Sequence, residues 1–362
     1  MSKLRSKQQL KLTKKQAIAI SVTAAAVLIA SVAAYFSLKP AKPPRKSASV
    51  LPKPVSEVKA APQQPEVYDP LSGLPTAKEL ASRRPLAVMI ENYYPDARPQ
   101  SGLDKASLVF EAVAEGGITR FMAVFTAQNA DVVGPIRSNR EYYVKWAKGL
   151  GAIYVHCGGS PGGYGAISAL GVDSIDEIGW PAGFWRSSDR RAPHNLYSST
   201  EGLREQARIK GYATATEYAA YRFKDDPPPA ERPSSQSATI DFSTAAYRVK
   251  YVYQQDSNFY LRYMGGEPHV DAVSGKQLVV KNIAVMYTRI WPLNDDENRM
   301  GIETEGMGRA VILQDGRAVP ATWKRGSESE LPRFYDSNDQ EIKFNRGQTW
   351  IEVTDRQITN SP

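Results

Sequence analysis

An α+β ectodomain behind a single transmembrane helix is the fold class that this 362-residue sequence predicts, on three observations. One uncharged apolar run lies near the start. Short apolar runs of strand length then alternate with helical patterns as far as residue 224. From residue 238, alternating strand-like runs separated by Gly, Asn and Asp turns take over.

Residues 1–16 are a basic tail with Lys3, Arg5, Lys7, Lys11, Lys14 and Lys15 and no acid. From Ala17 to Leu38 the run AIAISVTAAAVLIASVAAYFSL has no charge. At about 1.5 Å per residue it makes a ~33 Å helix, enough for a hydrocarbon core of about 30 Å, so the lipid bilayer is the expected partner of residues 17–38. Fewer cations follow the run than precede it, which orients the tail to the cytoplasm and the rest outside. A cleaved signal peptide competes, since Val32 and Ala34 form a small-residue cleavage pattern. The run is longer than the roughly 7–15 apolar residues of such a segment, and a retained span is therefore expected. A lipid anchor would need a cysteine just after the run, and the single cysteine is Cys157.

The formal charge of +8 belongs to this end of the chain. Residues 1–59 hold 12 Lys/Arg against Glu57, leaving 34 of the 46 basic and 37 of the 38 acidic residues for the rest. The ectodomain is slightly acidic, so nucleic acid is not an expected partner.

Residues 39–65, rich in Pro, Lys, Ala and Ser, read as an extended stalk. Residues 66–224 read as a layered α/β domain. Its strands are expected at Pro85–Glu91, Leu108–Ala112, Phe121–Thr126 and Ala152–Cys157, and its helices at Asn139–Leu150, Tyr164–Leu170 and Thr200–Lys210, the last capped by Ser199 or Thr200. The run DDPPPAERPSSQ marks a linker at 225–237. Residues 238–355 read as mostly β, with strands at Tyr247–Tyr253, Asn258–Tyr263, Leu278–Tyr287 and Thr349–Val353. Turns fall at Gly265-Gly266, Asp315-Gly316 and Asn338-Asp339, and 356–362 is a tail.

Several ordered blocks are family-specific: DPLSGLP at 69–75, RRPLAVMIEN at 83–92, ARPQSGLDKA at 97–106, EGGITRFMAVF at 115–125, VGPIRSNREYYVKWA at 133–147, VHCGGSPGG at 155–163, RAPHNLY at 191–197, GRAVPATWKR at 316–325 and RFYDSNDQEIKFNRGQTWIEV at 333–353. With these blocks the chain resembles the YerB-like family of bacterial envelope proteins over roughly residues 69–355. The resemblance implies a two-domain extracytoplasmic protein of a family without an assigned activity. Members similar to the type protein are commonly lipoproteins, and the apolar span here departs from that pattern.

Among motifs, Gly158-Gly159-Ser160-Pro161-Gly162 matches G-x-S-x-G after a strand. Half of that fold's oxyanion hole is the N–H of the residue after the nucleophile, and Pro161 has none, so Ser160 is expected to shape a cleft wall instead. Cys157 neighbours His156 on a strand, where adjacent side chains point to opposite faces. Tyr154 and His156 are then expected toward a cleft and Cys157 toward the core. The histidines 156, 194 and 269 lack ligand spacing, the pair Glu111 and Glu115 reads as solvated, and neither metal nor cofactor is expected.

The sharpest constellation is cationic. Arg137, Ser138 and Arg140 sit where a helix begins, and Arg120 follows a glycine pair. Arg190, His194 and Asn195 lie in one Pro-flanked loop. Helix N-termini and guanidinium forks bind anions, so these residues are expected to converge on an anion pocket, with Glu91, Asn92, Glu115, His156 and Ser160 lining a cleft. The alternative is that the arginines pair with Glu91, Asp104, Glu111 and Glu115. Trp323, Phe334, Tyr335 and Trp350 are candidate stacking residues that strands more often bury. The leading expectation is a membrane-held binding or regulatory module engaging an anionic cell-wall glycan or stem peptide, or an envelope protein. The other is a hydrolase or transferase acting on such a polymer.

Overall fold

Near-continuous apolar strands need cover on both faces, and the architecture supplies it. The computed structural model describes residues 67–361. Strands β1 (Val67–Tyr68) and β2 (Pro75–Thr76) form a short ribbon before helix α1 (Lys78–Ala81). There follow β3 (Leu86–Glu91), β4 (Leu108–Glu115), β5 (Ile118–Phe125), α2 (Glu141–Gly149), β6 (Ile153–His156), α3 (Pro161–Leu170), β7 (Ser174–Asp176), the β8 (Phe184–Arg186) and β9 (Leu196–Ser198) ribbon, and α4 (Thr200–Ile209). The C-terminal half contributes β10 (Phe223–Lys224), β11 (Ser237–Asp241), β12 (Arg248–Gln254), β13 (Phe259–Met264), β14 (Glu267–Pro268), β15 (Val279–Val280) and β16 (Asn282–Tyr287). It continues with the hairpin β17 (Ile290–Pro292) and β18 (Met300–Ile302), then β19 (Gly306–Gln314), β20 (Arg317–Arg325), β21 (Arg333–Tyr335), β22 (Phe344–Asn345), β23 (Thr349–Thr354) and β24 (Thr359–Ser361).

One ten-stranded sheet draws on both halves in the order β21-β20-β19-β16-β23-β4-β5-β3-β6-β7. Strands β16, β23 and β4 are mutually parallel, and so are β3, β6 and β7. Between the triplets lies β5, antiparallel to both β4 and β3, so all six parallel strands end at the same edge. The Pro-rich break at 225–237 is a boundary in sequence that the sheet crosses, because Thr349–Val353 pairs with Leu108–Ala112.

Alternation divides the core. Leu86, Val88 and Ile90 face a cluster shared with α4 and the second sheet, in which β11, β12 and β13 lie side by side. Ala87 and Met89 face the other cluster, with Tyr143 and Trp146 of α2 and Ala166 of α3. Each large apolar side chain buried this way contributes roughly 1.5–3 kcal/mol.

Local chemistry fixes the helix starts. Ser160 Oγ accepts the Gly163 N–H at 3.0 Å and Ser199 Oγ accepts that of Gly202 at 3.0 Å, capping α3 and α4. The two-residue Asp315-Gly316 turn joins β19 to β20 with φ of 55° and 68°, the twist a tight hairpin requires. The strand expected over Leu278–Tyr287 is two strands, β15 and β16, each in a different sheet. Among the described residues no helix is long and apolar enough to cross a membrane, and the span expected at 17–38 lies outside them.

Candidate functional site

At the common carboxyl edge, β3 ends in Glu91, β4 in Glu115, β6 in His156 and β7 in Asp176. Sheets of this kind place ligands outside their strands' carboxyl ends. Residues 135–139 run across this edge: the Arg137 N–H donates to Met89 O at 3.0 Å, the Cys157 N–H to Arg137 O at 3.1 Å and the Asn139 N–H to Gly158 O at 3.0 Å. Nearly all the residues expected at a site therefore do gather at one edge.

Their charges are mutually satisfied there. Glu91, buried, accepts from Arg137 Nε at 3.0 Å and His194 Nδ1 at 2.9 Å, and the Tyr93 ring stacks on His194 at 5.0 Å. Glu115 accepts from Arg120 and, at 2.7 Å, from Arg140. Burial works against the Glu115 charge, but Arg120 and Arg140 outweigh it and hold the carboxyl below its usual range. Burial and then the neighbouring Arg120 lower the Arg140 pKa. Arg190 Nη2 donates to Pro99 O at 2.6 Å. The expected anion pocket is thus divided: Arg137 and His194 hold Glu91, Arg120 and Arg140 hold Glu115, and Arg190 holds a backbone carbonyl.

Other candidates are structural. Ser138 lends its carbonyl to Arg120 at 3.0 Å. Asn195 donates to Ser187 O at 3.0 Å and staples its own loop. Asn92, fully buried, donates to Thr119 Oγ1 at 2.7 Å and accepts from Arg98 and Gln100. His156 is buried, contrary to the expected cleft-facing position, because the ring of Tyr164 on α3 packs edge-on against it at 5.9 Å. Its Nδ1 donates to Gly158 O at 2.9 Å, its Nε2 accepts from Ser174 at 2.8 Å, and burial lowers its pKa so that it stays neutral. Cys157 is half-buried against the core, and burial together with Glu177 pushes its thiol up to about 12. Trp323, Phe334 and Trp350 are core residues, and Lys324 covers Tyr335.

Two members of the set, Arg140 and Ser160, open onto a cleft of about 610 Å³. One wall is α2 and the start of α3, with Glu141, Lys145 and Gly162. The other is the β17–β18 hairpin and the segment after it, with Trp291, Met300, Ile302, Glu303, Thr304 and Glu305. Trp291 lies flat on Gly301, where a Cβ would come within 2.4 Å of the indole. The hairpin is tied to the sheet edge by the Gly116 N–H to Asn298 O bond at 3.1 Å and closed by Asp295, which accepts the Arg299 N–H at 3.0 Å. Sequence reasoning sought a cleft within residues 66–224 and missed this wall. Its signal was Trp291-Pro292 followed by the polar turn Asn294-Asp295-Asp296-Glu297-Asn298.

A second charged cluster went unread. Arg262 of β13, fully buried, contacts Glu111 of β4, donates to Tyr251 Oη at 3.0 Å and lies 3.8 Å from Glu352 of β23. Glu111 and Glu352 are register partners, so two carboxyl groups share one guanidinium. Burial first, then Glu111, holds the Glu352 pKa well above the carboxylate range. His269 completes the cluster: its Nδ1 faces Arg262 and its Nε2 donates to Gln100 at 2.8 Å, and burial with Arg262 keeps it neutral. Glu111, read as half of a solvated acidic pair, is thus a core residue, because β4 is covered on both faces.

Comparison with known proteins identifies the same two halves. The family described as the N-terminal domain of a protein of unknown function (DUF3048) matches residues 71–213, and its C-terminal domain family matches residues 238–351. A Bacillus subtilis (strain 168) protein named "Putative lipoprotein YerB" is 34% identical over 288 residues, 78% of this chain and 85% of that protein. The crystal structure of YerB from Bacillus subtilis superposes with a TM-score of 0.75 at 32% identity, covering 82% of this chain and 100% of the other.

Proposed function

The chain belongs to the two-domain YerB-like (DUF3048) family, and from that premise we propose that it is a membrane-held binding module of the bacterial cell envelope whose ligand seat is the cleft at the sheet's carboxyl edge. One observation carries the reading. The cleft takes one wall from each family domain and combines apolar surface with convergent polar groups, the composition of a recognition site. The 17–38 span would hold the protein at the bilayer, in keeping with the lipoprotein name of its relative. The occupant would be a fragment of wall glycan or stem peptide, or a segment of an envelope protein. As a test, full-length protein in nanodiscs is titrated with wall digests and solubilised envelope proteins, and Trp291→Ala is expected to weaken binding. Binding unchanged by Trp291→Ala and by a cleft-filling Gly162→Phe contradicts the reading.

A hydrolase or transferase is the second reading, carried by the Glu91–His194 pair. A carboxylate that accepts from Nδ1 fixes an imidazole for proton transfer at its other nitrogen. Ser160 has no part in it, because its Oγ caps α3. Fragment release from wall polymer by wild type, abolished in His194→Ala, would establish it.

A further inference from the structure

Charge balance at Glu91 leaves hydrogen-bonding capacity over. One carboxylate oxygen accepts from Arg137 Nε at 3.0 Å and the other from His194 Nδ1 at 2.9 Å, so the two basic side chains are held side by side. Neither Nη group of Arg137, nor Nε2 of His194, has a partner among the described residues. The Glu91 carboxylate is 5% exposed, whereas Arg137 and His194 keep 25% and 17%, and the open atoms therefore face outward.

A second observation comes from the loop that carries His194. Arg190 donates Nη2 to Pro99 O at 2.6 Å, and the next residue, Gln100, donates its side-chain amide to Glu91 O at 3.1 Å, which brings Arg190 beside the end of β3. Its Nη1 is buried and has no partner among the described residues. A buried donor without an acceptor is an exception in folded proteins, and a ligand oxygen would supply the acceptor. Aromatic surface borders the same corner: Tyr93 stacks on His194 at 5.0 Å and is 37% exposed, and Tyr94 is 56% exposed. Rings with an apolar face and a polar tip suit a ligand that is itself part apolar and part hydroxylated.

The open atoms specify that ligand. Nδ1 gives its hydrogen to Glu91, so neutral His194 presents Nε2 as an acceptor and takes a hydroxyl. The fork of Arg137 can only donate, and takes an oxyanion. We infer that this corner is a binding site of its own, apart from the cleft, for an acidic sugar. The Nη groups of Arg137 hold the carboxylate or phosphate, a neighbouring hydroxyl donates to His194 Nε2, and the sugar ring lies against Tyr93 and Tyr94.

The probes are glucuronate and glucose 6-phosphate, titrated calorimetrically into full-length protein in detergent micelles. Glucose, which lacks the anion, and cyclohexanecarboxylate, which lacks the hydroxyls, are run in parallel. Both sugar acids should bind and glucose should not, and the tighter acid tells carboxylate from phosphate. Arg137→Lys keeps a cation on Glu91 but removes the fork. Because hydrogen bonds to charged groups contribute about 1.5–3 kcal/mol, it should weaken both acids about 10- to 150-fold. His194→Asn keeps a donor for Glu91 but removes Nε2; it should weaken the sugar acids about 2- to 12-fold and leave cyclohexanecarboxylate unchanged. His194→Asn leaves the Arg137 pair intact and decides the matter if Arg137→Lys does not fold. Failure of both acids to bind wild type, glucose binding as tight as that of its acids, or acid binding that neither variant changes overturns the inference. Acid binding lost in Gly162→Phe and kept in both corner variants would place the sugar in the cleft and overturn it as well.

Discussion

The two charged clusters of this protein invert each other. Between the sheets, one arginine, Arg262, serves two carboxyl groups, Glu111 and Glu352. At the sheet edge, one carboxylate, Glu115, serves two arginines, Arg120 and Arg140. Burial opposes ionisation in both places, and the local surplus decides the outcome. Where acids are in excess, Glu352 keeps its proton, and where arginines are in excess, Glu115 gives its proton up. The inner cluster ties the second sheet to β4 and β23, while the outer one braces the wall of a cleft. Similar residues thus hold the fold in one place and line a cleft in the other.

The largest effect should come from the inner cluster. Arg262→Met leaves two buried carboxyl groups without a cation, and breaking a buried pair costs about 3–5 kcal/mol, to be read from equilibrium denaturation. At the edge, Glu115→Gln keeps an acceptor but removes the charge from beneath two buried guanidinium groups. A loss of about 1.5–3 kcal/mol is expected by the same assay. If the edge variant cost more than the inner one, the assignment of fold-holding to Arg262 would be reversed.

Opposite protonation gives opposite pH dependence. A raised native pKa at Glu352 contributes stability that is complete below the unfolded value of about 4.3 and is lost as pH rises through the native pKa, at no more than about 1.4 kcal/mol per unit. The lowered pKa of Glu115 contributes above about 4.3 and is lost as pH falls through its native value. Stability curves should show Glu352→Gln flattening the limb above pH 4.3 and Glu115→Gln flattening the limb below it. The smallest effect on stability concerns Cys157, where burial rather than a charge partner dominates. With its thiol pushed up to about 12, alkylation of native protein at pH 8 should run roughly two to three orders of magnitude slower than after unfolding. Equal rates would mean that the edge is open at that point.

Local features of the fold were legible in the sequence. Apolar runs marked β3, β4, β5 and β6, the expected cap Ser199 does close α4, and Asp315-Gly316 and Gly265-Gly266 make the turns that their chemistry requires. Long-range features were not. Nothing local joins Glu111 to Arg262, 151 residues away, or lays β23 beside β4 across the Pro-rich break. Arg137 and Arg140 were found because their type and their helix-start position carry chemistry, and Arg120 because it follows a glycine pair. Their partners depend on strand register, which places Glu91 opposite Arg120 and brings both carboxylates to one edge. The cleft's second wall escaped notice because its residues, Trp291 and Glu303 to Glu305, form a wall only when the hairpin faces α2 and α3.

Hydrogen exchange on full-length protein, with and without an isolated wall digest, tests the cleft as ligand seat most directly. The account predicts added protection at residues 160–164 and 291–305 together, with no change around Arg262 and His269. Protection confined to the Glu91 and His194 loop, or none in either cleft wall under conditions where binding is measured, would contradict it.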